Sequence, residues 1–168
     1  KCANEWQSLS SAFGICDGCV GAIDGWLCCT NSPTIHNPVH CFSGHYQQHR
    51  LNIQAVCDAN LRFIYFAVVA PGRTGDARAF NNCIHLRNWL DNLPDEFYLV
   101  GDNAYPLSEK MLVPFQGATK RVRFGCSCNF HLSQLRIRIE MAFGQLTTQW
   151  RIFKRNLENN VIKVSLIC

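Results

Sequence analysis

The sequence predicts an α/β fold with a mixed sheet. Two patterns support this: short apolar runs typical of buried strands, and longer segments in which apolar residues recur every three or four positions, as on one face of a helix. Their order is a strand, a hairpin, a helix, a strand, a helix and a long C-terminal helix, an arrangement typical of α/β proteins. With 168 residues, 48% hydrophobic and 17% charged, the chain has the size and composition of one globular domain, residues 1–168.

In the N-terminal half, Trp6, Leu9 and Phe13 are spaced three and four apart, which indicates a short helix. The dipeptide Ala59-Asn60 between two β-rich runs is a hairpin signal. The predicted elements of this half are a helix within residues 1–18, a strand at 19–25, a loop at 30–50, and hairpin strands at 51–58 and 61–69.

In the C-terminal half, the longest periodic segment is a helix that follows one apolar stripe. The stripe consists of Leu132, Leu135, Ile139, Ala142, Leu146, Trp150 and Phe153. We expect Trp150 and Phe153 to belong to the core. The other predicted elements are a helix at 76–90, a strand at 96–102, a short helix at 106–112, and a loop at 114–130 with one short strand near Val122.

Several classes of protein are disfavoured by composition. No run approaches 18 uncharged apolar residues, so we expect no transmembrane helix. The chain begins at Lys1 without a signal-peptide pattern, so we expect a fragment or a processed chain. Without a secretory signal, the eleven cysteines are interpreted as reduced thiols rather than a disulfide framework.

Positive charge is concentrated in one segment. Residues 119–155 hold eight Lys and Arg residues against the single acid Glu140, whereas residues 1–118 hold seven against ten acids. Such a segment suits a surface that binds a polyanion. It suits a solvated helix face equally well, and the charge pattern alone does not choose between them.

Four acids stand out by their positions. Asp24 and Asp102 each close an apolar run, Asp76 stands at the head of a predicted helix, and Glu140 lies beside the stripe of the last helix. Each one alone fits a cap, a turn or a surface residue. Together, at the ends of neighbouring elements, they favour a site, because a buried carboxylate needs a partner and a divalent cation is an effective one. Magnesium takes such hard oxygen ligands, and a pair of ions can promote displacement at phosphorus.

Five blocks make the sequence resemble the DDE endonuclease domain of PIF/Harbinger-type transposases, including their domesticated host relatives. The blocks occur in the family's order, and the likeness runs from about residue 5 to residue 155. They are CVGAIDG (19–25), NIQAVCD (52–58), PGRTGDARAF (71–80), LVGDNAYPL (99–107) and IEMAFGQL (139–146).

The resemblance implies an RNase H-like fold, with a mixed five-stranded sheet flanked by helices. It implies that Asp24, Asp102 and Glu140 are the catalytic triad and that Asp76 joins them in binding metal, expected to be two Mg²⁺ or Mn²⁺ ions. The expected activity is cleavage of DNA phosphodiester bonds and transfer of the 3′-hydroxyl end to target DNA. On this interpretation the DNA-binding residues are Lys120, Arg121, Arg123, Arg136 and Arg138.

The resemblance further implies a nuclear location, a Myb-like partner protein and a homo-oligomeric active complex. The family's N-terminal helix-turn-helix region is expected to be missing from this piece. The family's usual basic loop is replaced by residues 42–46, Phe-Ser-Gly-His-Tyr, and residues 26–29 also depart from the pattern. These departures affect the residues expected to bind substrate and leave the expected metal ligands in place.

Two alternatives stay open. The first is a domesticated, catalytically silent DNA- or protein-binding domain derived from a transposase. The second is a zinc-binding module, suggested by the C-x₂-C pair Cys16 and Cys19 and by nearby cysteines and histidines. A single pair without a clean second one, with Cys19 opening a buried strand, makes zinc the weaker alternative.

Overall fold

A mixed β-sheet with helices on both faces forms the centre of the chain. The computed structural model describes residues 3–14, 16–32, 38–44, 47–117 and 122–157. The helices in these ranges are α1 (Ala3–Phe13), α2 (Pro38–Cys41), α3 (Asp76–Asn82), α4 (Ile84–Asp91) and α5 (Arg123–Gln149), with a 3₁₀ helix at Arg151–Lys154. The strands are β1 (Cys19–Cys29), β2 (Phe42–Ser43), β3 (Gln48–Cys57), β4 (Phe63–Pro71), β5 (Tyr98–Val100) and β6 (Met111–Leu112).

The strand order confirms the predicted α/β class. Five strands follow the order β4-β3-β1-β5-β6, and the two-residue β2 pairs with the start of β3. The β1–β3, β3–β4 and β2–β3 pairs are antiparallel, whereas β1–β5 and β5–β6 are parallel. This mixed sheet flanked by helices is consistent with an RNase H-like fold. It has six strands rather than the five implied by the resemblance, because β2 forms in a region predicted to be a loop.

Three hydrophobic clusters form among the described residues, and the sheet separates the two larger ones, because successive side chains of a strand point to opposite faces. On one face, Ile23 of β1 packs with residues of α1, α3 and α4, and Val20 joins it because the register of β1 shifts between Cys19 and Gly21. On the other face, Ala22 of β1 packs with Leu135 and Ile139 of α5. The position of α5 is therefore fixed by the apolar stripe that the sequence showed.

The hairpin, the first helix and the strand around residues 98–100 are confirmed, but the predicted helix at 106–112 is wrong. The amide of Leu99 donates to the Lys110 carbonyl, and that of Gly101 donates to the Leu112 carbonyl. The backbone of this segment therefore extends the sheet as β6. The predicted helix at 76–90 is interrupted at Cys83, which separates α3 from α4.

The last helix begins earlier and ends sooner than its stripe predicted. Residues 123–131 are helical although their apolar side chains show no stripe, and Phe124 and Phe130 are exposed. This part of α5 lies against the preceding segment, where the Asn129 side chain hydrogen-bonds with the backbone of Phe115. The prediction that Trp150 is a core residue is wrong: α5 ends before it and its side chain is 62% exposed. Phe153 is half-buried and contacts the ring of Trp26.

The cysteines of the described ranges are free thiols. Burial raises the pKa of Cys19 and of Cys57 to about 12, so both remain neutral at physiological pH and behave as small apolar side chains. Of the zinc candidates, His36 lies outside the described residues. Within the described ranges, no helix combines the length and apolar character that crossing a membrane would require.

Candidate active site

Asp24 lies on β1, and Asp102 lies at the matching level just after β5, the neighbouring parallel strand. Ala22 of β1 pairs with Val100 of β5, and each aspartate stands two residues further along its own chain. β5 ends at Val100, whereas β1 continues to Cys29, so one edge of β1 is left without β5 from this point. Ligands of open α/β sheets bind beyond the carboxyl ends of parallel strands. Asp102 lies beyond the end of β5, and Asp24 lies within β1 at the level where β5 has ended.

The side chain of Asp24 points toward α5. Trp26, two residues later on the same face of β1, stacks on Phe143 of α5 with ring centroids 5.8 Å apart. The Gly25 amide donates to Asp24 Oδ1 at 2.8 Å. Burial, together with the neighbouring carboxylates of Asp102 and Asp76, raises the pKa of Asp24 to about 6. The Gly25 amide and the Arg136 guanidinium oppose this rise. The three aspartates therefore lie within electrostatic range of one another.

Asp102 is held by a tight turn after β5. Its Oδ1 accepts from the Ala104 amide at 2.8 Å, and its carbonyl accepts from the Tyr105 amide at 3.2 Å. A side chain that bonds the backbone two residues on is typical of an Asx turn. The turn fixes one carboxylate oxygen while the side chain stays half-buried.

Asp76 reaches the site from the opposite face of the sheet. It is the first residue of α3 but does not cap it, because the N-cap is Gly75 and has no side-chain cap bond. Its Oδ1 accepts from Asn52 Nδ2 at 2.9 Å and from Gln54 Nε2 at 3.3 Å. The carboxylate lies directly against Gly25 of β1. The structure therefore favours a place in the acidic site over the capping role that a helix start also suggests.

Glu140 is exposed on α5, one turn after Arg136. Among the described residues, no hydrogen bond or ion pair joins it to an aspartate. Arg136 is half-buried, and its Nε is buried without a hydrogen-bond partner in the described part of the chain. Arg136 is also close enough to Asp24 to lower the pKa of that carboxyl. The structure thus brings three predicted acids together, and the participation of Glu140 stays a prediction.

The predicted DNA-binding residues do not share one environment. Lys120 and Arg121 lie outside the described residues. Arg123 is exposed at the start of α5, whereas Arg138 is half-buried and donates to the Ala59 carbonyl at 3.4 Å. DNA binding by these residues stays a prediction.

Three polar residues next to the acids had not been assigned a role from the sequence. Asn52, Gln54 and Tyr105 are all buried. Tyr105 Oη donates to Gln54 Oε1 at 2.7 Å, and burial together with the aspartates raises the pKa of Tyr105, so its hydroxyl keeps its proton. The signal that could have revealed them is the i, i+2 spacing of two amide side chains within an apolar strand, since both then face the same side of the sheet.

The donor set fits a magnesium or manganese ion. Carboxylate oxygens are the ligands that these hard cations prefer, and a cation would offset the burial and the carboxylate repulsion that raise the pKa of Asp24. Within the described ranges, no three His, Cys, Asp or Glu side chains are gathered into a ready-made metal cage. Magnesium does not require one, because it is usually held by one or two carboxylates together with waters and substrate phosphates.

An RNase H-like mixed sheet with one aspartate within, and one just after, its parallel central strands defines a class of α/β protein with an acidic site. Residues 23–168 match the family model described as DDE superfamily endonuclease. Because the match covers most of the chain and includes all four acids, the protein belongs to this family. No curated protein and no solved structure matches the chain. Membership suggests a transposase-type nuclease that acts on DNA, a family that generally uses divalent metals.

Proposed function

We propose that the protein is the catalytic domain of a metal-dependent DNA transposase that cleaves phosphodiester bonds and transfers the resulting 3′-hydroxyl end to target DNA. The observation that carries this proposal is the matched placement of Asp24 on β1 and of Asp102 just after β5, with Asp76 against the same stretch of β1. Membership in the endonuclease family supports the same chemistry.

The proposed reaction needs no covalent intermediate between protein and DNA. Asp24 and Asp102, with Asp76, would hold the cation. When bound, Mg²⁺ or Mn²⁺ activates the attacking oxygen and stabilises the leaving one in an in-line displacement. The buried Nε of Arg136 is a donor without a partner among the described residues, so it is suited to bind a phosphate oxygen beside Asp24. Water would serve as nucleophile in the first step and the freed 3′-hydroxyl in the second.

The Harbinger subtype is part of the same proposal. The blocks around Asp24, Asp76, Asp102 and Glu140 support it, and from this subtype follow a nuclear location, a Myb-like partner and a homo-oligomeric active complex. Glu140 is proposed as the third catalytic acid. Since it is exposed and, among the described residues, shares no hydrogen bond or ion pair with an aspartate, we expect DNA binding to bring it into the site.

The test is DNA nicking by the full-length protein with Mn²⁺ and terminal-repeat DNA. Asp102→Asn keeps the shape of the side chain but removes its charge. We expect nicking to fall by more than about 100-fold, because loss of a ligand costs more than loss of its supporting partner. DNA affinity should change by less than about twofold. Asp91→Asn, the same substitution at an exposed position on α4, is the matched control and should nick like the parent. Equal rates for Asp102→Asn and the parent would contradict the metal mechanism.

The catalytically silent DNA- or protein-binding domain is the second candidate. The exposed position of Glu140 favours it, because among the described residues no hydrogen bond or ion pair joins this acid to the aspartates. The two candidates differ in response to a chelator. An enzyme loses nicking in EDTA and regains it with Mn²⁺, whereas a silent domain binds DNA without nicking it under either condition.

A further inference from the structure

A hydrogen-bonded network of three buried polar side chains ends at the carboxylate of Asp76. Asn52 is 1% exposed, Gln54 is fully buried and Tyr105 is 3% exposed. Burying such groups costs free energy unless each donor and acceptor is paired. Their hydrogen bonds run in one direction, from the Tyr105 hydroxyl through Gln54 and Asn52 to the carboxylate of Asp76.

The groups at Asp76 determine which way the hydrogen bonds of this network run from donor to acceptor. Asn52 Nδ2 faces two groups that only accept, Asp76 Oδ1 at 2.9 Å and the Thr74 carbonyl at 3.1 Å. Asn52 must therefore present its Oδ1 to Gln54, whose Nε2 donates to it at 2.9 Å. Gln54 in turn presents Oε1 to Tyr105, which must act as donor, at 2.7 Å. Reversal of any one amide would leave two acceptors facing each other.

The same arrangement leaves one oxygen of Asp76 unused. Both amide donors bind Oδ1, and among the described residues none donates to Oδ2. Gly25 supplies the space for this position, because a β-carbon there would collide with Asp76 Oδ1. The carboxylate is thus fixed by one oxygen beside Asp24, with the other available to a ligand.

We propose that Asn52, Gln54 and Tyr105 are positioning residues that hold Asp76 beside Asp24 for a divalent cation, with Gly25 providing the room. This inference rests on the proposed function. If these three side chains were merely structural, they would hold β3 against α3 and against the turn after β5, and their loss would not change the affinity for metal. The two roles therefore differ in their effect on the Mn²⁺ concentration that the protein requires.

The first test uses Tyr105→Phe in the full-length protein. It removes only the hydroxyl and keeps the edge-to-face contact with Phe80, whose ring centroid lies 5.5 Å away. The matched control is Tyr65→Phe, which removes a hydroxyl that contacts the Cys83 sulfur at 3.4 Å. The Mn²⁺ midpoint is measured twice, by thermal shift without DNA and by nicking with DNA.

We expect Tyr105→Phe to raise both Mn²⁺ midpoints by about 10-fold, the cost of losing a group that orients a ligand. DNA affinity should stay unchanged, and saturating Mn²⁺ should restore the nicking rate. Tyr65→Phe should keep the parent midpoints even where its thermal stability falls.

Gly25→Ala provides a second variant that acts from the other side of Asp76. Its methyl group would displace the end of a side chain rather than backbone, so we expect the protein to fold and to show the same rise in both midpoints. Gly144→Ala on α5 is the matched control, since a β-carbon there meets open space.

The outcomes separate the two proposals. If the parent shows neither a Mn²⁺-dependent thermal shift nor nicking, the proposed function fails and this inference fails with it. If the parent responds but Tyr105→Phe and Gly25→Ala keep its midpoints, the positioning role alone is overturned. The positioning role is also overturned if these variants keep the parent's thermal-shift midpoint but lose nicking that saturating Mn²⁺ does not restore.

Discussion

At Asp24, burial and two neighbouring carboxylates all disfavour the charged form, and they raise its pKa to about 6. Gly25 follows it without a side chain, which lets Asp76 approach β1 from the opposite face. The missing side chain at Gly25 thus brings the carboxylate of Asp76 next to Asp24, although α3 lies on the opposite face of the sheet. A site with this concentration of negative charge is costly for the empty protein and favourable for a bound cation.

The raised pKa of Asp24 predicts how stability depends on pH. Its folded pKa of about 6 lies above the ordinary value of 3.8, so the folded state holds the proton more tightly. This contribution is fully present below about pH 4 and is lost as the pH rises through 6. In EDTA, we therefore expect Asp24→Asn to raise the free energy of unfolding at pH 7 by on the order of 2 kcal/mol. Urea denaturation at pH 4 and pH 7 measures the effect.

Asp91→Asn is the control for the Asp24 prediction, because that carboxyl is exposed on α4. Its stability should follow the parent at both pH values. An Asp24→Asn protein that loses stability between pH 4 and pH 7 as steeply as the parent would show that Asp24 titrates normally.

At the scale of elements, α5 covers the face of the sheet that carries Asp24. Leu135 and Ile139 are buried in the core with Ala22, and Arg136 lies between them in sequence beside the acidic site. The apolar stripe therefore packs α5 against the sheet, and this packing places the Arg136 guanidinium beside the acidic site. Packing of α5 and assembly of the site depend on the same contacts.

The stripe of α5 gives a stability prediction. Leu135→Ala should lower the free energy of unfolding by about 3 kcal/mol, because it leaves a cavity in a fully buried position. Ile137→Ala on the same helix should change it by less than about 0.5 kcal/mol, since Ile137 is 49% exposed. Chemical denaturation distinguishes them, and equal losses would mean that α5 does not pack as described.

The basic residues of α5 give a prediction about DNA. Replacing Arg136 or Arg138 with Gln should weaken binding about equally for all sequences and reduce the slope of log K against log salt by about one for each phosphate that the variant no longer binds. Arg87→Gln is the control, because Arg87 is exposed on α4, across the sheet. Fluorescence anisotropy over a salt series tests this. If the slope of log K against log salt is unchanged for both α5 variants, these two arginines do not bind the DNA.

At the scale of the whole molecule, the sheet separates the two larger hydrophobic clusters of the described residues, and Asp24, Asp76 and Asp102 lie near the point where β5 ends beside β1. Elements from distant parts of the chain meet there: β1, the start of α3, the turn after β5 and the middle of α5. A ligand bound at the acidic site would contact several of these elements at once, so it should stabilise the whole folded domain.

We therefore expect Mn²⁺ to stabilise the protein, because the acids meet only in the folded state. At 100 times its dissociation constant, the free energy of unfolding should rise by about 2.7 kcal/mol. EDTA should reverse the rise, and Asp24→Asn should show much less of it. Thermal denaturation with and without Mn²⁺ measures this. An equal rise in the parent and in Asp24→Asn would place the ion outside the site.

The sequence by itself determined the α/β class, the hairpin, the first helix, and the positions of Asp24 and Asp102 after buried runs. These are local properties, since periodicity and turn residues act over a few positions. It left Asp76 open between a cap and a ligand, and it misjudged the segment that becomes β6 and the beginning and end of α5.

Those points depended on tertiary structure, because their causes are distant in sequence. Asp76 is bound by amides more than 20 residues away, and Tyr105 donates to a side chain 51 residues before it. Residues 111–112 form a strand because β5 offers them hydrogen bonds, and Trp150 is exposed because α5 ends before it. Residue patterns specify which side chains will be buried, whereas only the folded chain decides which buried groups meet.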